Sequence, residues 1–441
     1  MKPVTVGIIG FGTVGEGVAR LLTDRSELLA RRLGGPIVLK KVADLDLTRP
    51  RGLSLDPSLL TTRGQDILDD PDVDIVVELI GGTETAQQLV LEAILRGKHV
   101  VTANKALLAL HGNEIFAAAR QHDVEVAFEA SVCGGIPVIL ALRQGLAANR
   151  ILEMLGILNG TANYILTQMS EQGNSFEQAL REAQAEGYAE ADPTLDVEGV
   201  DAAHKLAILM ALAYGTRVNF GGVAVEGIGG LEPIDLQFAR EFGYALKLLA
   251  ISRNNGEMLE ARVHPTLIPR DHMLANISGA MNAVYVTGDA VGPLMLSGPG
   301  AGMMPTASAV VSDILDLARN LALGLRRRVP PLGSDQALEI QRPIKPMSEV
   351  VTNYYFRFAA LDRPGVLSQI SGVLGRHNIS IAAVIQKGRE VKGAVPIVMI
   401  THEAKEANVR QALVEIDALP VVSPPTVMYR IEDPPLNAAQ I

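Results

Sequence analysis

Val4-Thr5-Val6-Gly7-Ile8-Ile9 runs directly into Gly10-Phe11-Gly12-Thr13-Val14-Gly15, and the reading of the whole chain turns on this junction. The first six residues are rich in β-branched side chains and read as a buried strand. The next six open a helix over Gly15–Arg31, with glycines at the spacing G-x-G-x-x-G. At that spacing Gly10 makes the tight turn, Gly12 lets the backbone approach a pyrophosphate, and Gly15 lets the helix pack close to the strand. The helix start supplies N–H groups and partial positive charge for phosphates. A bare glycine fingerprint is weak, since any turn can carry one. Here strand, loop and helix agree, and a dinucleotide-binding unit is predicted.

Working outward, Ile37–Ala43, Ile75–Leu79, His99–Thr102 and Val124–Glu129 read as further strands, with helices at Thr85–Leu95 and His111–Gln121. Short apolar strands alternating with helices predict a parallel, doubly wound α/β sheet over residues 1–137, completed by a helix at 305–326. Asp44 ends the second strand and suits a ribose 2′-OH, as in NAD. Lys40, Lys41, Arg49 and Arg51 surround it and suit a 2′-phosphate, or simply form a solvated basic edge. NAD and NADP both stay open. Residues 138–304 mix helices with strands such as Leu259–Val263, in an order the pattern does not give. Pro330, Pro331, Pro343 and Pro346 mark a linker over 327–350. Beyond it, strand Tyr354–Leu361, helix Gly365–Arg376, strands Ile379–Gln386 and Val395–Thr401, helix Ala404–Leu413 and strand Thr426–Ile431 give a β-α-β-β-α-β, ferredoxin-like unit over 351–433. Pro434–Ile441 reads as a frayed end.

The 441 residues suit about three domains. With 39 Lys and Arg against 49 Asp and Glu, the net charge of −10 argues against nucleic acid. Charged residues at 20% against 48% hydrophobic argue for a packed core. A single cysteine excludes a disulfide framework. The longest apolar run, Leu206–Tyr214, falls well short of the ~20 residues that span a membrane. Val4–Ile9 leads into glycines rather than a cleavage site, so it is no signal peptide. A soluble cytoplasmic protein is expected.

Candidate chemistry gathers at three places. Thr102-Ala103-Asn104-Lys105 follows a strand of the nucleotide unit, so Lys105 faces the cofactor or merely begins a helix in solvent. Acidic residues crowd the stretch from Glu186 to Asp196. Asp201-Ala202-Ala203-His204-Lys205 then opens a helix apolar on all sides. Asp201 and Lys205, four apart, share a face in the favourable acid-before-base order. Lys205 is a desolvated proton donor, or it snorkels to solvent with Asp201 as a cap; His204 reads as structural. Ser297-Gly298-Pro299-Gly300-Ala301-Gly302 is a second glycine-rich loop before a helix.

Taken together, these stretches resemble the homoserine dehydrogenase family. The resemblance rests on residues 10–15 and 102–105, Gly-Ile-Leu-Asn-Gly-Thr-Ala-Asn-Tyr-Ile-Leu at 156–166, Gly-Tyr-Ala-Glu-Ala-Asp-Pro-Thr-Leu-Asp at 187–196, and residues 201–205 and 298–302. Leu361–Leu367 and His377–Ile381 resemble an ACT regulatory domain, as in bacterial members without a fused kinase. The resemblance implies reversible reduction of L-aspartate 4-semialdehyde to L-homoserine by NADH or NADPH, on the route to threonine, isoleucine and methionine. It makes 138–304 the catalytic and dimerisation domain of a homodimer or homotetramer. It gives Lys205 the proton, and sets Lys105 between substrate and nicotinamide. Glu190 and Asp201 would hold substrate, with Tyr188, Asp192 and Asp196 shaping the pocket. Gly10, Phe11, Gly12, Thr13, Val14, Gly15, Asp44, Thr102, Lys105, Gly187 and Gly302 would hold cofactor. Glu129 and the backbone of Val132, Gly134 and Ile136 would hold a structural monovalent cation such as sodium. An amino-acid effector, threonine by preference, would bind near Gly365 and Asn378 at an inter-subunit edge. Two departures stand out: Ala43 where NADP-preferring relatives often carry a basic residue, and Met303-Met304 where a glycine-rich continuation is expected. Two rivals are weighed. Aspartate-semialdehyde dehydrogenase needs a thiolate, for which Cys133 is the only candidate; an amino-acid sensor would not need the lysines.

Overall fold

A computed structural model describes residues 2–386 and 394–433; the end expected to fray, Pro434–Ile441, lies outside them. β1 (Val4–Ile9), β2 (Ile37–Ala43), β3 (Leu60–Thr61), β4 (Ile75–Glu78), β5 (His99–Thr102) and β6 (Val126–Ala127) form one parallel sheet in the order β3-β2-β1-β4-β5-β6. The order reverses between β1 and β4, which opens a crevice beyond the strand ends where Gly10 lies. The spans of β1, β2 and β5 agree with the sequence reading.

Three local expectations are corrected. The first helix is two, Thr13–Asp24 and Ser26–Leu33, broken at Arg25. The break sets Leu29 and Leu33 into the core that Leu21, Val311 and Leu315 also fill. The helix expected from His111 begins at Lys105, capped by Asn104 Oδ1, which accepts from Leu107 N at 3.0 Å. Its first turns, Ala106–Leu110, are apolar on every side and show no amphipathic period. The expected strand Val124–Glu129 shrinks to β6 because Glu129 enters a tight turn whose N–H donates to Asp313 Oδ2 at 2.8 Å. The closing helix runs Met303–Ala322.

The second sheet contains β7 (Ile151–Ile157), β8 (Ala224–Val225), β9 (Tyr244–Asn254), β10 (Leu259–Pro269), β11 (Met281–Gly288) and β12 (Gly292–Pro299), then β13 (Val351–Leu361), β14 (Ile381–Gln386), β15 (Ala394–Thr401), β16 (Ala404–Lys405) and β17 (Val422–Ile431). Its path is β12-β11-β7-β9-β10-β17-β13-β15-β14, with β8 beside β10 and β16 beside β13. The C-terminal unit keeps the predicted β-α-β-β-α-β order, with helices Val366–Arg376 and Glu406–Asp417. Ala404 and Lys405, expected in the second helix, are strand residues instead.

That unit is not hung on a free linker. β17 pairs in parallel with β10, so the two sheets are one. Pro343 and Lys345 of the proline-rich stretch exchange backbone bonds with Leu259 at 2.9 and 2.8 Å. Charged side chains are buried along the seam. Arg430, 1% exposed, donates to Glu406 of its own unit and to Glu226 of the central one, and Arg357 donates to Asp235. Buried pairs add little net stability but make any other docking geometry costly.

Candidate active site

The helix Val200–Tyr214 is buried along almost its whole length, so Asp201 and Lys205 enter the interior one turn apart. Lys205 Nζ donates to Asp201 Oδ2 at 2.6 Å and to the Leu158 carbonyl at 2.7 Å, with its side chain 10% exposed. The alternative in which it reaches solvent is excluded. Lys105, at the first turn after β5, places Nζ 3.0 Å from Asp201 Oδ1 and keeps 44% of its side chain exposed. One carboxylate therefore bridges two lysines from two domains. Asn159 completes the cluster. Its Oδ1 accepts from Ala162 N and caps the helix Gly160–Gln172, while Nδ2 donates to Asp196 Oδ1 at 2.6 Å and to Asp201 Oδ2 at 2.9 Å.

Burial alone would raise the Asp201 carboxyl; the charges of Lys205 and Lys105 outweigh it and hold the group far below the usual carboxylate range. Lys105 is raised, first by the Asp201 charge, with burial opposing and Asp196 and Glu190 adding to it. Asp196 is raised by burial. Glu190 is exposed, yet its charge reaches Lys105, so it lies at the mouth of the same site. Tyr188, 47% exposed, packs its ring 4.8 Å from Tyr164, and its carbonyl accepts from Thr161 Oγ1. Gly187 is the left-handed turn just before it. Asp201 engages its oxygens with the two lysines and Asn159. Asp192 is exposed and accepts from Thr194 N and Oγ1, closing the turn before Asp196.

The fingerprint loop fits a dinucleotide. Gly10 has φ +106°, and a Cβ there would stand 2.6 Å from the Leu79 carbonyl; a Cβ on Gly15 would fall on the Gly10 oxygen. Over Gly12 the space is open, and the helix from Thr13 and Val14 has no side-chain cap, which leaves its first N–H groups outward. Asp44 Oδ2 accepts from Phe11 N at 2.6 Å, bracing the loop. Of the four basic residues near Asp44, Arg51 lies 4.6 Å over the Phe11 ring and donates to the Phe11 carbonyl. Lys40 turns away instead and pairs with Asp72 and Asp70 ahead of β4. Thr102 Oγ1 donates to Glu78 Oε2 at 2.6 Å and accepts from Asn104 N, which sets the start of the Lys105 helix. Glu78, Asn159 and Asn282 carry weight here that the sequence reading missed. Only Asn159 left a signal, a strand followed by Asn-Gly-Thr, which is the signature of a helix cap. Gly302 directly precedes the closing helix, and Met303 packs over Gly17.

Glu129, Val132, Gly134 and Ile136 are all buried, and Gly135 between them is exposed. Glu129 accepts from Ile139 N and Leu140 N, and burial pushes it up to about 7; Asp313 beside it is raised further by burial and by the Glu129 charge. Among the described residues no group of three or more His, Cys, Asp and Glu side chains could hold a metal ion. In the C-terminal unit Gly365 starts the helix Val366–Arg376 and borders a recess with Asp362 and Gln386. Asn378 follows the other end of that helix, so one chain does not bring the two together. Cys133 is fully buried and its thiol is pushed up to about 11, the reverse of an activated nucleophile. No helix among the described residues is long and apolar enough to cross a membrane.

A doubly wound dinucleotide fold, tied through Lys105 to a buried carboxylate that bridges two lysines, is the arrangement of a nicotinamide-dependent oxidoreductase. Residues 10–129 match the homoserine dehydrogenase NAD-binding domain, 137–315 the homoserine dehydrogenase domain and 354–421 the ACT domain. The chain is 49% identical to a homoserine dehydrogenase of Neisseria gonorrhoeae over 98% of its own length and 99% of that protein's. It is 48% identical to one of Pseudomonas aeruginosa over the same shares. The crystal structure of a homoserine dehydrogenase from Thiobacillus denitrificans, 49% identical, superposes with a TM-score of 0.93 over 98% of this chain and 99% of that one. The chain belongs to the homoserine dehydrogenase family.

Proposed function

We propose that the chain interconverts L-aspartate 4-semialdehyde and L-homoserine with NADH or NADPH, in the cytoplasmic synthesis of threonine, isoleucine and methionine. The observation that carries this reading is the Lys205–Asp201–Lys105 bridge beside the dinucleotide crevice. When bound, the reduced nicotinamide supplies hydride to the aldehyde carbon. Lys205 hydrogen-bonds the carbonyl oxygen, yields a proton as negative charge develops there, and recovers it in reverse. Lys105, tied to the same carboxylate, orients the substrate and stabilises the developing charge. Asp201 aligns both amines, and its charge raises the proton affinity of Lys105. Glu190, at the mouth, pairs with the substrate ammonium, with Tyr188 and Asp196 lining the approach. Gly10–Gly15, Thr102, Gly187 and Gly302 hold the dinucleotide, with Asp44 or Arg51 deciding between ribose and 2′-phosphate.

A sodium ion at Glu129, Val132, Gly134 and Ile136 would be structural, bracing the domain junction. The ACT unit would bind an amino acid, threonine by preference, between copies of a homodimer or homotetramer, near Gly365 of one and Asn378 of the other. The test mixes the protein with homoserine and either NAD or NADP and follows the reduced-nicotinamide absorbance. Turnover that falls on adding threonine supports the whole reading. No signal with either dinucleotide overturns the activity, and turnover indifferent to millimolar threonine overturns the effector. Cys133→Ala keeps its activity if hydride transfer needs no thiolate; a dead variant would favour the acyl-enzyme rival.

A further inference from the structure

Lys205 is held at two points, and only one of them is the Asp201 carboxylate. The other is the carbonyl of Leu158, at the end of β7. That carbonyl accepts a second bond, 2.9 Å long, from Nδ2 of Asn282 on β11. Asn282 is 0% exposed. Its amide cannot be turned over, because Oδ1 would then oppose the Leu158 oxygen. In the bonded orientation Oδ1 is buried with no hydrogen-bond partner among the described residues. An unpaired buried acceptor is destabilising, so the side chain is a poor choice for packing alone.

Packing holds the amide in place. Gly300 of the second glycine-rich loop lies flat on it, and a Cβ there would fall within the amide group itself. Gly134 packs in turn on the Gly300 carbonyl, where a Cβ would come within 2.6 Å. The loop at 298–302 and the strand end that carries Lys205's acceptor therefore meet at Asn282, with the turn at 132–136 packed behind the loop.

We infer that Asn282 is a positioning residue for the reaction: it fixes the Leu158 carbonyl, and through it the direction of the Lys205 amine, with Gly300 as its backstop. This rests on Lys205 being the proton donor. Without the amide bond the carbonyl can swing, and the amine follows it off line from the reacting oxygen. The inference does not require Asn282 to touch substrate or dinucleotide.

The experiment compares three variants of the full-length protein, Asn282→Ala, Gly300→Ala and Lys205→Ala, by steady-state kinetics with deuterated and ordinary reduced dinucleotide. Gly300→Ala displaces the amide without removing it, so it probes the same contact if Asn282→Ala folds poorly. For both, kcat falls on the order of 10²-fold, the scale of a misplaced reacting group. The KM for dinucleotide stays within about twofold, and the deuterium isotope effect on kcat rises as chemistry becomes rate-limiting. A residue that only packs would lower the melting temperature and the active fraction without moving the isotope effect. Parental kcat and isotope effect in both variants, beside an inert Lys205→Ala, overturn the inference and leave the proton-donor reading standing. An active Lys205→Ala overturns both.

Discussion

Replacing Asp201 by Asn removes one charge and almost no volume, so the result reads electrostatics rather than packing. Asp201 stands 2.6 Å from Lys205 Nζ and 3.0 Å from Lys105 Nζ. At an effective dielectric constant of ~20 each attraction is roughly 5–6 kcal/mol before desolvation is counted. The Lys105 share is smaller in practice, since 44% of that side chain meets solvent. Breaking a buried pair of this kind costs about 3–5 kcal/mol net. In the Asn variant two ammonium groups face each other across a neutral amide, and Lys105 loses the carboxylate charge that raises its proton affinity. The alkaline fall in the rate of semialdehyde reduction therefore moves to lower pH, while activity recovers on the acid side. Asp201 is held far below the ordinary carboxylate range, so its own contribution to stability is in place above about pH 4 and fades only as the pH drops further. The variant's loss in melting temperature should accordingly be undiminished between pH 6 and 8. Initial rates from pH 6 to 10, with thermal unfolding over the same range, decide the matter. A parental pH profile with a parental melting temperature would refute the bridging role.

Other outcomes follow from single contacts. Gly15→Ala sets a methyl on the Gly10 oxygen; dinucleotide affinity by fluorescence titration should collapse, whereas affinity within threefold of the parent would contradict the loop geometry. Lys247 is buried and pushed down to about 8 from 10.5, bonded to the Ile277 carbonyl. A lysine with lowered proton affinity in the fold costs stability below pH 8, and the cost fades as pH rises toward 10.5. Lys247→Met, after losing a hydrogen bond, should gain about 2 kcal/mol at pH 7 and lose about 1 kcal/mol at pH 10.5, read by denaturant unfolding. Arg430→Met leaves Glu226 and Glu406 to Arg410, which is half exposed, and Glu406 to the Tyr354 hydroxyl, at the seam between the central and C-terminal units; stability should drop by about 3 kcal/mol.

How much the sequence alone foretold depended on how local each signal was. β1, β2 and β5 are short β-branched runs with strong punctuation, and Gly15 is fixed by the Gly10 oxygen five residues back, whereas the limit on Gly10 comes from Leu79 on another strand. Lys105, Asp201 and Lys205 stand out by their places in the chain and by the family resemblance. Their union through one carboxylate was not legible, because residues 105 and 201 meet only when two domains close. The role of Asn282 was invisible for the same reason: its partners, Leu158 and Gly300, belong to other segments. Arg25 broke the first helix without a glycine or proline to announce it. The prolines at 330–346 correctly ended helix and sheet, but proline content says nothing about docking, and the stretch lies bonded to Leu259.

Reduction depends most on the proton that Lys205 delivers. Lys205→Ala, loaded with reduced dinucleotide and mixed rapidly with L-aspartate 4-semialdehyde, isolates that step from binding. The predicted result is unchanged dinucleotide affinity, a rate of nicotinamide oxidation lower by about 10²–10⁴-fold, and partial recovery with added methylamine. Oxidation at the parental rate would contradict it.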